Sequence, residues 1–292
     1  MSTCATWNSN GTVFATIKTV ESIFVGIFID VNDTTDEMSM NGKQIVVRNE
    51  DNTNSNNSIS LYNRFITING ASKHRFYKRS LDPTFHRDIM PNLHNCTSLF
   101  IDITYSIYCS YDQEHKVIKI RCNDISQDGI IMFGNGTNGP TPELLSWPSG
   151  IFVDSDLRLY VADTGNDRIQ LFERENTTGT TVAGNSALGH KHLKSLTGIV
   201  VDRNGYLYIV DSGYQRIIRS ERDGFRCILG CSEHQLSSFH SHTIWFDTVW
   251  NMFAFDRNNH QIQKFSRLTD SSDKFKALSF IKAKICLTVR FH

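Results

Sequence analysis

Three pairs of polar residues recur in the sequence with a constant spacing of five residues. Two pairs join an aspartate to an arginine and the third joins an aspartate to a glutamine. The pairs are Asp163 and Arg168, Asp211 and Arg216, and Asp256 and Gln261. A carboxylate and a guanidinium in this arrangement could act on a substrate, or they could bond each other and the amides of a turn. Because the pair recurs in copy after copy, we interpret it as part of the scaffold rather than as a catalytic site.

Eleven histidines raise the alternative of a zinc site. A catalytic zinc ion needs three protein ligands brought to one point. His240 and His242 alternate in sequence, so they would share one face of a strand, and they are the weak candidates for metal ligands. The positions equivalent to His242 in other copies of the repeat hold Ser149, Thr197, Thr97 and Val25. We therefore expect no metal and no other cofactor.

Composition and motifs narrow the classes of function. The chain has 292 residues, with 30 Lys and Arg against 30 Asp and Glu, and this neutrality argues against a nucleic-acid or membrane-surface binder. It has no apolar run of about 18 residues that would predict a membrane span. A Gly-x-Ser-x-Gly elbow, a phosphate-binding glycine-rich loop and a His-Glu-x-x-His sequence are all lacking. We expect that the chain is not an enzyme.

An internal repeat organises the chain and places these residues. Short apolar runs end at anchor positions near 30, 67, 102, 154, 202 and 247, and five of these positions hold an aspartate. The mean spacing of about 43 residues matches a propeller blade of about 40–45 residues. The copies anchored near 30 and 67 match the pattern poorly, so we expect two degenerate units.

Each unit predicts four short antiparallel strands. The runs are aromatic and β-branched and are separated by Gly, Asn and Asp, which is typical of strands joined by tight turns. The last copy supplies three strands, and an additional strand is predicted over residues 10–15. The expected fold is therefore an all-β, six-bladed β-propeller of four-stranded blades, in which this N-terminal strand closes the ring.

Two of the recurring segments resemble the signature of the NHL repeat. They read Asn-Asp-Arg-Ile at 166–169 and Asn-His-Gln-Ile at 259–262, and each follows an aspartate. The resemblance is good over 147–265, fair over 96–133 and weak over 26–90. It implies a six-bladed propeller over residues 1–265, followed by a tail at 266–292, and similarity to secreted NHL-repeat-containing proteins. It does not imply one activity, because different functions occur on the same fold.

Seven cysteines suggest two disulfides. Cys96 and Cys109 flank a predicted hairpin and would lie nearly opposite each other on paired strands, within disulfide reach. Cys227 and Cys231 would be about 13 Å apart in an extended strand, so a bridge requires a turn at Gly230. The NHL resemblance favours this second pair. Free or buried thiols are the alternative, and Cys4, Cys122 and Cys286 are unassigned.

Six Asn-x-Ser/Thr sequons favour an extracellular glycoprotein, although about four are expected by chance from the composition. They lie at Asn10, Asn32, Asn56, Asn95, Asn135 and Asn176. The start of the chain lacks the pattern of a signal peptide, so a cytoplasmic location is the alternative.

Three hypotheses for function follow. The first is a non-enzymatic extracellular propeller that binds a protein or peptide ligand through its loop-bearing face, as a monomer or as part of a longer chain. The second is a zinc-dependent enzyme resembling the peptidyl-hydroxyglycine amidating lyases. The third is a cytosolic RNA-binding propeller, whose densest basic cluster would lie at 73–79. We prefer the first and expect no nucleic-acid partner.

Overall fold

The described part of the chain is almost entirely strands and the turns that join them. The computed structural model describes residues 6–7, 11–16, 59–62, 65–70, 75–80, 86–90, 97–104, 106–120, 130–174, 176–184, 193–202, 204–222, 224–231, 241–246, 250–256, 259 and 261–268. Over these residues it contains no helix that is long and apolar enough to cross a bilayer.

Five four-stranded antiparallel sheets account for most of the described residues. The first contains β3 (Ile59–Tyr62), β4 (Phe65–Gly70), β5 (Arg75–Ser80) and β6 (His86–Met90). The second contains β7 (Ser98–Ile101), β8 (Ile107–Tyr111), β9 (Lys116–Ile120) and β10 (Ile130–Phe133). The third contains β11 (Pro148–Val153), β12 (Leu159–Asp163), β13 (Arg168–Phe172) and β14 (Thr180–Ala183). The fourth contains β15 (Leu196–Val201), β16 (Leu207–Asp211), β17 (Arg216–Glu221) and β18 (Gly224–Leu229). The all-β, four-stranded organisation predicted from the repeat is confirmed.

The fifth sheet joins the two ends of the described chain. It contains β19 (Ser241–Phe246), β20 (Met252–Asp256), β21 (Gln261–Phe265) and, as its fourth strand, β2 (Thr12–Thr16). Thr12 is the register partner of Lys264, and Thr16 is that of Gln261. An N-terminal strand therefore completes the last sheet, as the sequence predicts. Beyond residue 265, β22 (Arg267–Leu268) pairs with β1 (Thr6–Trp7), so the ordered pairing continues into the predicted tail.

The core lies between neighbouring sheets. The middle strands carry apolar side chains on both faces, and all five residues of β12 and of β16 are buried. Aromatic rings join one sheet to the next: Phe100 meets Phe152 at 5.3 Å between ring centroids, and Tyr208 meets Phe246 at 4.7 Å. Such tilted or edge-on pairs contribute about 1 kcal/mol each beyond the area they bury. Burial on both faces explains why these strands read as continuous apolar runs.

The two poorly matched copies have different outcomes. The repeat pattern predicts that the apolar run ending at the anchor near residue 67 is the first strand of its unit. This prediction is wrong, because Thr67 lies within β4, the second strand of its sheet. The segment from Arg75, which departs from the repeat pattern, forms the third strand. The copy anchored near residue 30 lies outside the described residues.

Candidate binding face

Asp163, the last residue of β12, is fully buried and accepts three hydrogen bonds. Oδ1 of Asp163 accepts the backbone N–H of Ser146 at 2.6 Å. Its Oδ2 accepts Nε of Arg168 at 2.7 Å and Nδ2 of Asn166 at 2.8 Å. The register explains the contact with the guanidinium, because Asp163 and Arg168 are opposite each other on paired strands. Every oxygen of this carboxylate is thus directed into the protein.

Arg168 extends the same network into the loop that precedes β11. Its Nη1 donates to the carbonyl of Pro140, and its Nη2 donates to those of Thr141 and Leu144 at 2.9 and 3.0 Å. The planar guanidinium is suited to several acceptors at once. Asp163 and Arg168 therefore fix the path of residues 140–146 and offer no exposed group to a substrate.

The next sheet repeats the carboxylate with one change. Asp211 is fully buried, accepts Nε of Arg216 at 2.7 Å and accepts the N–H of Lys194 at 2.8 Å. Where the preceding sheet has Asn166, this sheet has Tyr214, which is 47% exposed. Burial raises the pKa of the Asp163 and Asp211 carboxyl groups, while the donated hydrogen bonds act in the opposite direction. The structure brings both predicted pairs together as buried contacts.

The third pair is described in part. Asp256 is buried, and its Oδ2 accepts Nδ2 of Asn259 at 2.7 Å, as Asp163 does from Asn166. Gln261 is opposite Asp256 in the register, and its side chain lies outside the described part of the chain. In the second sheet Tyr111 replaces the aspartate, and the ammonium of Lys116 lies 5.5 Å from its ring and 2.6 Å from Glu114.

The anchor aspartates at the opposite end of the sheets also have a structural role, which the sequence did not reveal. Oδ1 of Asp102 accepts the amides of Thr104 and Ser106. Asp154 and Asp202 repeat this bonding with the amides two and four residues later. Asx turns of this kind set the hairpin between the first and second strands. The constant position of the aspartate is the signal that could have indicated the turn.

The turns between the second and third strands face the starts of the first strands, and together they form one surface, here named the turn face. It comprises residues 112–115, 164–167 and 212–215 with residues 146–147 and 194–195. Hydrogen bonds cross it from sheet to sheet, and two of them occupy equivalent positions. Nδ1 of His115 accepts the N–H of Trp147, and Oδ1 of Asp167 accepts the N–H of Ser195 at 2.6 Å. All four residues have φ near +50°, so equivalent positions are held in the same backbone conformation.

Two aromatic side chains stand exposed on the turn face. Trp147 is 48% and Tyr214 is 47% exposed. The Trp147 ring meets the His115 ring edge-on at 5.4 Å, and the Arg216 guanidinium lies 4.8 Å from the centre of the Tyr214 ring. Both rings are therefore held by neighbours while much of their surface is open to solvent. The repeat pattern did not predict them, because neither residue belongs to the constant spacing of aspartates and apolar runs.

A disulfide links the end of β18 to the residues that follow it, beside the turn face. Cys227 and Cys231 are bonded, with Cα atoms 5.7 Å apart, and Gly230 between them has φ of +71°. This is the turn at Gly230 that the sequence required for the pair. Cys109 is also disulfide-bonded and fully buried. Its predicted partner Cys96 lies outside the described residues, so that pairing stays a prediction.

The remaining predicted residues are scattered over the chain. His242 lies on β19, and its side chain is not described, while His240 lies outside the described residues. Where side chains are described, no three His, Cys, Asp or Glu residues come close enough to hold a metal. Asn135 and Asn176 are both exposed. The other four sequons fall outside the described ranges, at Asn10, Asn32, Asn56 and Asn95.

Comparison with known proteins assigns one segment of the chain that contributes to this face. The family model described as NHL repeat matches residues 145–172, which include β11, β12 and the Asp163–Arg168 contact. Residues 145–172 therefore match the pattern of an NHL repeat. Human NHL repeat-containing protein 3 is 33% identical over 84 residues, and its mouse counterpart is 30% identical over the same length. Each match covers 28% of this chain and 23% of the relative, so less than a quarter of either relative is matched.

Solved structures support a β-propeller fold for this chain. Virginiamycin B lyase from Staphylococcus aureus, solved with quinupristin, has a TM-score of 0.53 at 16% identity, covering 74% of this chain and 68% of that one. An auxiliary nutrient binding protein from Bacteroides thetaiotaomicron has a TM-score of 0.54 at 12% identity, covering 70% and 56%. At such identities the likeness shows the fold alone.

Proposed function

We propose that this chain is an extracellular, non-enzymatic NHL propeller that binds a protein or peptide through its turn face. The exposed Trp147 and Tyr214 carry the proposal. Trp and Tyr are enriched among the residues that dominate binding energy at protein interfaces. Each ring already contacts a neighbouring side chain, His115 or Arg216. Binding would therefore cost little additional side-chain entropy.

A six-bladed ring is part of the proposal. Five four-stranded sheets are described, and the repeat copy anchored near residue 30 would supply the sixth. The pairing of β2 with β21 supports closure of the ring through the last sheet. A closed ring would leave no open sheet edge between the first and last blades.

The internal use of the recurring polar groups supports a binding role over catalysis. Asp163 and Arg168 are saturated by backbone and side-chain partners, and Asp211 is fully buried. A general acid or base must reach the proton that it transfers. On the turn face, equivalent positions of the repeat carry different side chains. Such a surface is suited to selective recognition.

The disulfide between Cys227 and Cys231 supports an extracellular location. Disulfides form and persist in oxidising compartments and are rare in the cytosol, where thiols are kept reduced. Cys231 is exposed, so a cytosolic reductant would reach it.

The binding role is tested with a double substitution on the turn face. Trp147→Ala with Tyr214→Ala is compared with the wild type and with Ile103→Ala plus Met132→Ala, a control pair of similar exposure that is not among the residues of this face. Each protein is screened by surface plasmon resonance against purified extracellular proteins from the same source. We expect a ligand that binds the wild type and the control pair and loses at least tenfold in affinity for the turn-face variant.

Two outcomes would overturn the proposal. One is a ligand whose affinity is the same for all three proteins, since the exposed rings would then not form the binding surface. The other is metal-dependent turnover of a peptidyl-hydroxyglycine substrate by protein that contains one zinc per chain. RNA binding that weakens with salt would support the cytosolic alternative instead.

A further inference from the structure

We infer that Asn135 and Asn176 are attachment sites for N-linked glycans, which places two oligosaccharides on neighbouring sheets. This inference rests on the extracellular location in the proposed function, and it does not depend on the ligand of the turn face. Each residue begins an Asn-x-Thr sequon, the acceptor sequence for N-glycosylation.

Both sequons adopt the same local structure. Oδ1 of Asn135 accepts the backbone N–H of Thr137 at 2.8 Å, and Oδ1 of Asn176 accepts that of Thr178 at 3.0 Å. Both asparagines and both threonines are exposed. The amide oxygen is thus occupied by the turn, and the amide nitrogen is the remaining free end of the side chain.

The amide nitrogens of these two residues are not needed by the fold. Neither Nδ2 has a hydrogen-bond partner in the described part of the chain. Asn166 shows the contrasting case, because its Nδ2 donates to Asp163 and to the carbonyl of Gly139 at 2.9 Å. A sugar on Asn166 would break the turn, whereas a sugar on Asn135 or Asn176 would replace only solvent.

The chemistry at each site is a single group transfer. Nδ2 attacks C1 of the reducing-end sugar of a lipid-pyrophosphate oligosaccharide, which is the co-reactant. A new C1–N bond forms, the bond between C1 and the pyrophosphate oxygen breaks, and the proton that Nδ2 loses passes to solvent. The pyrophosphate lipid leaves with the bonding electron pair, so no oxidant or reductant is needed.

The two positions differ in what a glycan would cover. Asn135 follows β10, the outermost strand of its sheet. The glycines before and after it, Gly134 and Gly136, lie close to the carbonyls of His115 and Glu114 in the turn face. A glycan there stands at the rim of the turn face. Asn176 lies between β13 and β14, at the opposite end of the neighbouring sheet. The first glycan would therefore border the surface that binds ligand, and the second would not.

The disulfide favours the modification because it supports the extracellular location on which this inference rests. The enzyme that glycosylates such sequons works in the oxidising lumen of the secretory pathway, where the Cys227–Cys231 bond would also form. A chain that acquires the bond is therefore exposed to the glycosylating machinery.

Site-resolved mass spectrometry tests the inference on protein isolated from its native source. Peptides that span residues 135–137 and 176–178 are digested with a peptide N-glycosidase in heavy-oxygen water, and the label is compared with a digest without the enzyme, because Asn135 precedes Gly136 and can deamidate unaided. The full chain, secreted from insect cells behind a cleavable signal, provides variants. They are Asn135→Gln, Asn176→Gln, Thr137→Ala, Thr137→Ser and, as a control at an exposed asparagine outside any sequon, Asn204→Gln.

We expect both native peptides to be marked. Asn135→Gln and Thr137→Ala should each lose one glycan, Asn176→Gln should lose the other, and Thr137→Ser and Asn204→Gln should lose none. Thr137→Ala keeps the asparagine and the backbone turn, so its loss of mass cannot come from misfolding at Asn135. Unmarked Asn135 and Asn176 in native protein that has the Cys227–Cys231 bond would overturn the inference and leave the proposed binding face intact.

Discussion

Nδ1 of His115 accepts a hydrogen bond from the backbone N–H of Trp147, which lies 3.1 Å away at the start of the next sheet. The two residues also share a ring contact, so one side chain fixes both the backbone and the indole of its neighbour. An exposed aromatic residue of the candidate binding face thus depends on the sheet before its own.

Substitution of His115 should separate these two contributions. His115→Phe keeps an aromatic ring for the contact but removes the acceptor, and we expect it to lower the free energy of unfolding by about 1 kcal/mol. His115→Asn restores an acceptor and favours positive φ, as Asp167 does at the equivalent position, so it should lose less. Urea unfolding followed by tryptophan fluorescence compares the three proteins. A His115→Phe variant as stable as the wild type would show that the hydrogen bond contributes nothing.

Replacement of Arg168 by lysine should destabilise the protein more than the same change at Arg216. The guanidinium of Arg168 serves Asp163 and three carbonyls, and a single ammonium cannot reach all of them. We expect a loss of about 3 kcal/mol for Arg168→Lys. Arg216 is more exposed, at 22% of its side chain against 9%, so Arg216→Lys should lose less. Denaturant titration provides both values, and the opposite order would contradict the role given to Arg168.

The turn at Gly230 should tolerate no side chain. A Cβ atom at this position would lie 2.2 Å from the carbonyl oxygen of Gln215, in addition to the strain of positive φ. Gly205 has φ of +82° with nothing within 4 Å of such an atom, so Gly205→Ala carries only the backbone strain, about 1 kcal/mol. We expect Gly230→Ala to lower the free energy of unfolding by about 3 kcal/mol or more and to prevent the Cys227–Cys231 bond from forming, which leaves two free thiols. Thiol titration and thermal melting test this, and matching results for the two alanine variants would refute the clash.

Tyr208 should make the fold sensitive to alkaline pH. Burial raises its pKa to about 12, whereas an unfolded tyrosine titrates near pH 10. Between these values the folded state keeps a proton that the unfolded state has lost. The free energy of unfolding therefore falls with rising pH, by about 1.4 kcal/mol per pH unit for this group.

Tyr208→Phe removes that titration, so the variant should lose stability less steeply than the wild type from pH 10 upwards. Tyr214→Phe, the same substitution at an exposed ring, is the matched control. Guanidinium unfolding at several alkaline pH values measures the slopes. Parallel slopes for Tyr208→Phe and the wild type would contradict the assignment.

The repeat could be predicted because its signals are local. Alternating apolar runs, turn residues and aspartates at constant spacing predict strands and hairpins without knowledge of their neighbours. The copy near residue 67 fails for the same reason: it has lost its aspartate, and the apolar pair Phe65 and Ile66 fits a second strand as well as a first. Without an aspartate at the anchor position, the apolar pattern predicts a strand but does not indicate its order in the sheet.

The candidate site could be predicted only in part. The pairs of Asp163 with Arg168 and of Asp211 with Arg216 cross a short turn, so their spacing indicates contact. The bond from Trp147 to His115 joins residues 32 positions apart in different sheets. Periodicity identifies equivalent positions, but it does not indicate which of them contact each other between neighbouring sheets. Tyr214 could not be predicted from the pattern, because it stands where the preceding sheet has Asn166.

The place of β2 in the last sheet has a consequence for biosynthesis. Thr12 and Lys264 are 252 residues apart, yet they are neighbours in one sheet. During translation β2 must wait for β21 to be synthesised, and its edge stays available to other chains throughout that interval. Non-local pairing of this kind slows folding. The late docking of an early strand is therefore the step at which a molecular chaperone would have the longest opportunity to act.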